Sequence, residues 1–157
     1  MVLILHILPR GKIVDMGIKD ANNMGAAMAP AALDTLLTHF SDTGRTPSYY
    51  DAIITGDLGL IGKEILIDLA DKSGFNIKSV YNDCGSLIFD KSKQDTHSGG
   101  SGCGCIASVF SGYLYNELKK KNLKKVLLIA TGALMNSMSA QQGESIPGIA
   151  QAIAIEV

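Results

Sequence analysis

A chain of 157 residues has the length of one domain, and its net charge of −1, from 14 Lys plus Arg against 15 Asp plus Glu, lacks the basic excess of a nucleic-acid binder. Hydrophobic residues make up 46% and charged residues 18%, below the roughly 25% charged of an average soluble domain. No apolar run approaches the ~18 residues that a membrane-spanning helix needs, so the composition predicts a soluble chain that buries surface against a partner other than nucleic acid.

The apolar start, Met1 to Pro9, has neither the basic n-region nor the longer apolar core of a secretory signal, so a cytosolic chain with reduced thiols is expected. Its three cysteines are an odd number, and only Gly104 separates Cys103 from Cys105, which is poor geometry for a disulfide. Cys84, Cys103, Cys105 and His97 suffice in number for zinc. No CxxC pair with a matching second pair exists, however, and no metal site or cofactor is expected.

Along the chain, Lys12 to Gly17 alternates apolar and polar residues and reads as a half-exposed strand entering the turn-rich Lys19 to Asn23. Asn22 or Asn23 can cap the Ala- and Leu-rich helix that follows. The main body of that helix is placed after Pro30, because proline fits the first turn or kinks what precedes it. Asp51 to Gly56 is a short apolar strand ending at glycine, and Leu58, Ile61, Ile65, Leu66 and Leu69 follow at helical spacing. Around Val80 to Gly85 and Ser86 to Asp90 the apolar stretches are short, so any strand there is brief. The glycine-rich stretch His97 to Cys105 then opens a helix with Ile106, Val109, Phe110, Tyr113, Leu114 and Leu118 on one face. Lys119, Lys120 and Lys121 complement the negative end of its dipole. Lys125 to Leu134 is a continuous apolar run, the mark of a central strand covered on both faces, and Gly148 to Val157 is a last strand returning antiparallel beside it. The order βαβαβαββ predicts an α/β fold, a mostly parallel sheet with an antiparallel last strand.

Among residues that could carry chemistry, the Gly-rich loop stands out. Glycine allows close backbone approach, and the helix start behind it offers unpaired N–H groups, so the loop is a candidate oxyanion or carboxylate cradle, with a plain tight turn as the alternative. It lacks the Lys-Ser/Thr ending of a P-loop, which argues against nucleotide. His97 and Cys103 form a candidate Cys/His pair, in which an imidazole lowers the thiol pKa; the alternative is that Cys105, and Cys103 with it, are small buried hydrophobes. His6 and His39 have no polar company in sequence and read as surface or cap residues. Asp57 ends a strand, where ligands gather in open parallel sheets, and would equally serve as the N-cap of the next helix. Asn82, Asp83 and Cys84 carry the same two readings. Gln141 to Ser145 reads as a hairpin connection, or as a polar stretch that lines a pocket or meets a second subunit.

The segments Ile18 to Ala32, Thr55-Gly56-Asp57-Leu58-Gly59, Tyr81-Asn82-Asp83-Cys84-Gly85, His97 to Cys105, Ala130-Thr131-Gly132-Ala133-Leu134 and Gln141 to Gly148 together resemble the stage V sporulation protein AD (SpoVAD) family. The resemblance covers about residues 11–157 and corresponds to the C-terminal half of that family. It implies one half of a thiolase-like fold, a spore-forming bacterium, and a role in moving dipicolinic acid into the developing spore. Residues 1–10 look least like the family and are read as junction or poorly ordered sequence, with 11–157 as the single domain. In acyl-transferring thiolase relatives this half supplies a His after its second strand and a His or Asn in a later Gly-rich loop. Thr55-Gly56-Asp57-Leu58 stands at the first position without a His, and His97 stands near the second. One base is therefore missing along with the nucleophile-bearing half, which points away from acyl transfer.

What the resemblance implies is a non-catalytic, ligand-binding thiolase-like half with no catalytic residue. Its candidate ligand residues are His97, Ser98, Gly99, Gly100, Cys103, Asp57 and Asn82. The implied ligand, dipicolinic acid, free or as its calcium chelate, is a flat dicarboxylate; His97 and the loop donors suit one carboxylate, whereas Asp57 repels it unless a cation such as calcium intervenes. The other implied partners are the SpoVA membrane proteins and either a second copy of the chain or the N-terminal half. The implied location is peripheral, on the cytoplasmic side of the spore inner membrane. The competing reading is an acyl-transfer enzyme with Cys103 or Cys84 as nucleophile and His97 as base, which requires a thiol of unusually low pKa.

Overall fold

The computed structural model describes residues 4–7, 11–100 and 102–157, built around one sheet of six strands. These are β1 (Ile4–Ile7), β2 (Ile13–Val14), β3 (Ala52–Thr55), β4 (Tyr81–Asp83), β5 (Lys125–Ala133) and β6 (Gly148–Glu156), in the order β1-β6-β5-β3-β4 with β2 also on β6. β3 is parallel to β4 and β5, while β6 is antiparallel to β5, β1 and β2. Five strands thus share one direction and β6 alone reverses, as the expected mostly parallel sheet with an antiparallel last strand requires.

β5 lies between β3 and β6, and its side chains divide between two buried layers. Leu127 and Ile129 face one layer and Val126 and Leu128 the other, which is why this strand reads as an unbroken apolar run instead of an alternation. Helices α1 (Met24–Thr43) and α2 (Gly59–Lys72) fill the first layer with Met28, Ala29, Ala32, Leu36, Leu66 and Ala70. After β4 comes the short α3 (Cys84–Leu87). The second layer is a run made of α4 (Cys105–Val109), a π-helical turn over Phe110–Leu114 and α5 (Tyr115–Lys119), burying Cys105, Val109, Leu114 and Leu118.

α1 begins at Met24, not after Pro30. The Asn23 side chain accepts the Ala26 N–H at 3.2 Å and caps it. Pro30 sits in its second turn, where a missing N–H and a steric clash cost about 3 kcal/mol. Burial overrides that cost, because Ala27, Met28, Ala29, Ala31 and Ala32 around the proline are all buried. The helices α1 and α2 also cross at glycines. A Cβ on Gly62 would lie 2.8 Å from the Gly25 Cα and from the Leu58 Cβ, so no larger residue fits the crossing.

His39 is not a surface or cap residue: it is 0% exposed, and its Nε2 is hydrogen-bonded to the Tyr50 hydroxyl. Arg45 donates to the same hydroxyl at 3.1 Å and pairs with Glu156 at 3.0 Å. Among the described residues the His39 Nδ1 has no hydrogen-bond partner. Burial first, and then the Arg45 cation, push the His39 pKa down to about 4.

Between β5 and β6 the connection holds α6 (Ser137–Gln141), capped by the Asn136 side chain, which accepts the Ser139 N–H at 2.7 Å. Ser145 donates to the Asp15 carboxylate at 2.6 Å and ties this connection to the segment after β2. The reading of residues 1–10 falls partly outside the described residues, as does that of the His6 side chain. Within that stretch β1 pairs with β6, Ile4 opposite Glu156 and Ile7 opposite Ile153. No helix among the described residues is long and apolar enough to cross a membrane.

Candidate functional site

The carboxyl ends of β3 and β4 meet at Asp83, which is 0% exposed. Its oxygens accept the Leu58 and Gly59 N–H groups, each at 2.9 Å, and Thr55 Oγ1 donates to Oδ2 at 2.7 Å. The Tyr81 hydroxyl lies 2.7 Å from Thr55 Oγ1 and closes the network. The first amides of α2, and the positive end of its dipole, are therefore directed at a carboxylate of the neighbouring strand. Desolvation pushes the Asp83 pKa up, and hydrogen bonds from Leu58, Thr55, Gly59 and Gly85 oppose the shift.

With Asp83 at that helix start, Asp57 does not act as its cap: Leu58 holds the N-cap position and makes no side-chain capping bond. The Asp57 N–H donates to Thr131 Oγ1 at 3.2 Å, and its side chain reaches the Gly-rich loop, where Oδ2 accepts the Gly102 N–H at 2.5 Å. A Cβ on Gly85 would come within 2.7 Å of Asp57 Oδ1, and one on Gly100 within 2.8 Å. Glycine is required at both positions to leave room for the carboxylate. The loop is docked by further bonds: the Gly99 N–H donates to Thr96 O at 2.8 Å, the Gly100 N–H to Gly85 O at 3.0 Å, and Ser98 O accepts the Leu60 N–H at 2.6 Å. The Gly99, Gly100 and Gly102 amides thus face acceptors of the chain itself.

Asp57, Ser98, Gly99, Gly100 and Gly102 form one wall of a cleft of about 490 Å³, and Asp20, Asn22, Asn23, Met24 and Met28 form the wall opposite. Four of the candidate ligand residues are therefore brought together, and no Lys, Arg or His is among the described residues that line the cleft. The other three lie elsewhere. The His97 side chain is 90% exposed, with Nδ1 3.7 Å from Asp95. Asn82 Oδ1 accepts from Lys63 Nζ at 2.7 Å on the α2 side. Cys103 is exposed and so is not a buried hydrophobe, whereas Cys105 is buried as expected. Cys84 is completely buried, and that burial pushes its thiol pKa far up, opposite to what a nucleophile needs.

Asp20, Asn22 and Asn23 read in sequence only as turn and cap, since nothing local shows that the start of α1 faces the loop 75 residues further along the chain. Asp83 had a cue, as a carboxylate ending a strand, but its donors come from another strand end. A larger groove of about 610 Å³ runs along α2 past Lys63, Glu64, Asp68, Asp71 and Lys78; its charges are mixed and it contains none of the candidate residues. No group of three or more His, Cys, Asp or Glu placed to hold a metal ion occurs among the described residues.

Over residues 2–156 the chain matches the family described as stage V sporulation protein AD (SpoVAD). It is 42% identical over 146 residues to stage V sporulation protein AD of Bacillus subtilis (strain 168), an alignment covering 93% of this chain and 43% of that relative. The chain therefore spans less than half the relative's length. Among solved structures it is similar to 3-oxoacyl-(acyl-carrier-protein) synthase III from Aquifex aeolicus VF5, with 9% identity and a TM-score of 0.48, covering 99% of this chain and 52% of that one. The match contains the Thr55 to Gly59 turn and the Gly-rich loop, which contribute residues to the cleft, and the Tyr81 to Gly85 strand end that carries Asp83, and the chain belongs to the stage V sporulation protein AD family.

Proposed function

We propose that the chain is a non-catalytic, ligand-binding part of a sporulation protein that takes part in moving dipicolinic acid into the developing spore. Membership of the SpoVAD family supports the sporulation role. The observation that carries the binding reading is the cleft just beyond the carboxyl end of β3, the place where ligands gather in open α/β sheets. Two carboxylates, Asp20 and Asp57, border it, and no Lys, Arg or His is among the described residues that line it. A free dicarboxylate meets like charge there, so the favoured cargo is the calcium chelate, with protein carboxylates facing the cation. Isothermal titration of the chain with dipicolinate, with and without calcium, tests this. Binding at least about tenfold tighter with calcium is expected, a difference of about 1.4 kcal/mol. Binding indifferent to calcium removes Asp57 and Asp20 from the reading, and no binding in either arm by a folded chain overturns it.

The non-catalytic part of the reading is supported by Cys84, shielded and disfavoured as a thiolate, and by His97, whose side chain is exposed to solvent. The apolar groove along Ile106, Phe110, Leu128, Ala130, Ala152 and Ile153 suits docking of a second copy or of the rest of the longer family protein. A peripheral position on the cytoplasmic side of the spore inner membrane, beside the SpoVA membrane proteins, belongs to the same reading.

A further inference from the structure

Asp57 sits in the Gly-rich loop as a bound anion would. His97, Gly99, Gly100 and Gly102 have φ values of +49°, +79°, +100° and +77°, a tight backbone path in which the Gly99 and Gly100 N–H groups bond Thr96 O and Gly85 O while the Gly102 N–H turns toward the Asp57 carboxylate. In the present arrangement the acceptor at the Gly102 N–H is Asp57 Oδ2, at 2.5 Å. The other oxygen, Oδ1, is wrapped by Gly85 and Gly100 so closely that a Cβ on either would come within 2.7 or 2.8 Å of it. The glycines thus fit a carboxylate of the chain itself.

We propose that Asp57 is a resident stand-in for the ligand's carboxylate, an autoinhibitory contact that an anionic ligand must displace before it can use the Gly102 N–H. The chemical class of ligand is a carboxylate, and removing the Asp57 charge from the loop raises the affinity for it. A cation that draws Asp57 away has the same effect, which would couple cation and carboxylate binding at one place. The inference rests on the reading of this cleft as the ligand site, but not on the identity of the cargo.

The test uses acetate, and separately inorganic phosphate, titrated into the 15N-labelled chain while the amide resonances of Gly100 and Gly102 are followed. In the native chain acetate leaves both resonances in place. In Asp57→Ala they move saturably, with an apparent Kd at least about tenfold lower than in the native chain. Asp57→Asn, which keeps the shape and an acceptor oxygen without the charge, gives an intermediate gain, and it decides the matter if Asp57→Ala does not fold. Folded variants that bind acetate no better than the native chain overturn the proposal; a response to phosphate alone does so as well, because it would reveal a different anion chemistry. Neither probe is dipicolinate, so this result and that of the calcium titration stand or fall separately.

Discussion

Asp83 and His39 are both completely buried, and each is served differently by its neighbours. Asp83 has donors on both oxygens, so its removal leaves the Leu58 and Gly59 amides and the Thr55 hydroxyl without their acceptor. Asp83→Ala is expected to lower stability by about 3 kcal/mol, read as a fall in the urea midpoint. His39 instead has an orphan nitrogen and a cation for a neighbour. Its folded pKa of about 4 lies below the unfolded value of 6.5, so the native state resists protonation. The stability tied to this group is therefore complete above about pH 6.5 and is lost as pH falls through the window down to about 4, by up to roughly 3 kcal/mol. Urea midpoints measured from pH 8 to pH 4 are expected to drop across that window in the native chain and to lose this component in His39→Leu. Neither role could be read from local sequence. The Tyr50 that meets His39 lies 11 residues on, past the end of α1, and the donors of Asp83 come from a strand end 24 to 28 residues away.

At the scale of elements, pattern served well where one layer of packing decides the structure and poorly where two effects compete. β5 and β6 were legible because an apolar run and an alternation differ plainly in sequence, and the β3-to-α2 unit was legible from its glycine turn. α1 starts earlier than the sequence pattern implies because Pro30 is a strong local signal, while the burial of the alanines around it is a tertiary one. Pro30→Ala is accordingly expected to restore an N–H toward the Ala26 carbonyl and to stabilise the chain by about 1–2 kcal/mol, a rise of several degrees in Tm by calorimetry. No change, or a loss, would mean that the ring itself packs better than the restored bond. The Gly-rich loop shows the other limit. Its composition correctly marked a close backbone approach, yet the partner approached is Asp57 of the chain itself.

For the whole molecule, alternating strands and helices limited the topology to a few arrangements, and the observed sheet is one of them. What the alternation could not convey is how incompletely the second layer covers the sheet. The α4-to-α5 run leaves the groove from Ile106 to Ile153 open and apolar. Light scattering over rising concentration is expected to reveal self-association that Phe110→Glu weakens; a chain that stays monomeric throughout would leave the groove to the rest of the longer family protein.

The reversed strand has a kinetic consequence. β6 is the shared neighbour of β1, β2 and β5, and its residues 148–156 are laid down after all of them. While the chain is being synthesised, β1 and β2 wait for β6, the strand they pair with in this sheet, and the flank of β5 that β6 will cover stays bare. Completion of the sheet waits on contacts of the longest sequence separation available, Ile4 with Glu156 among them. Ribosome-bound intermediates are thus expected to hold α1, α2, β3 and β5 together while offering an open strand edge, which makes the interval before residue 148 emerges the one in which this molecule most needs protection from aggregation.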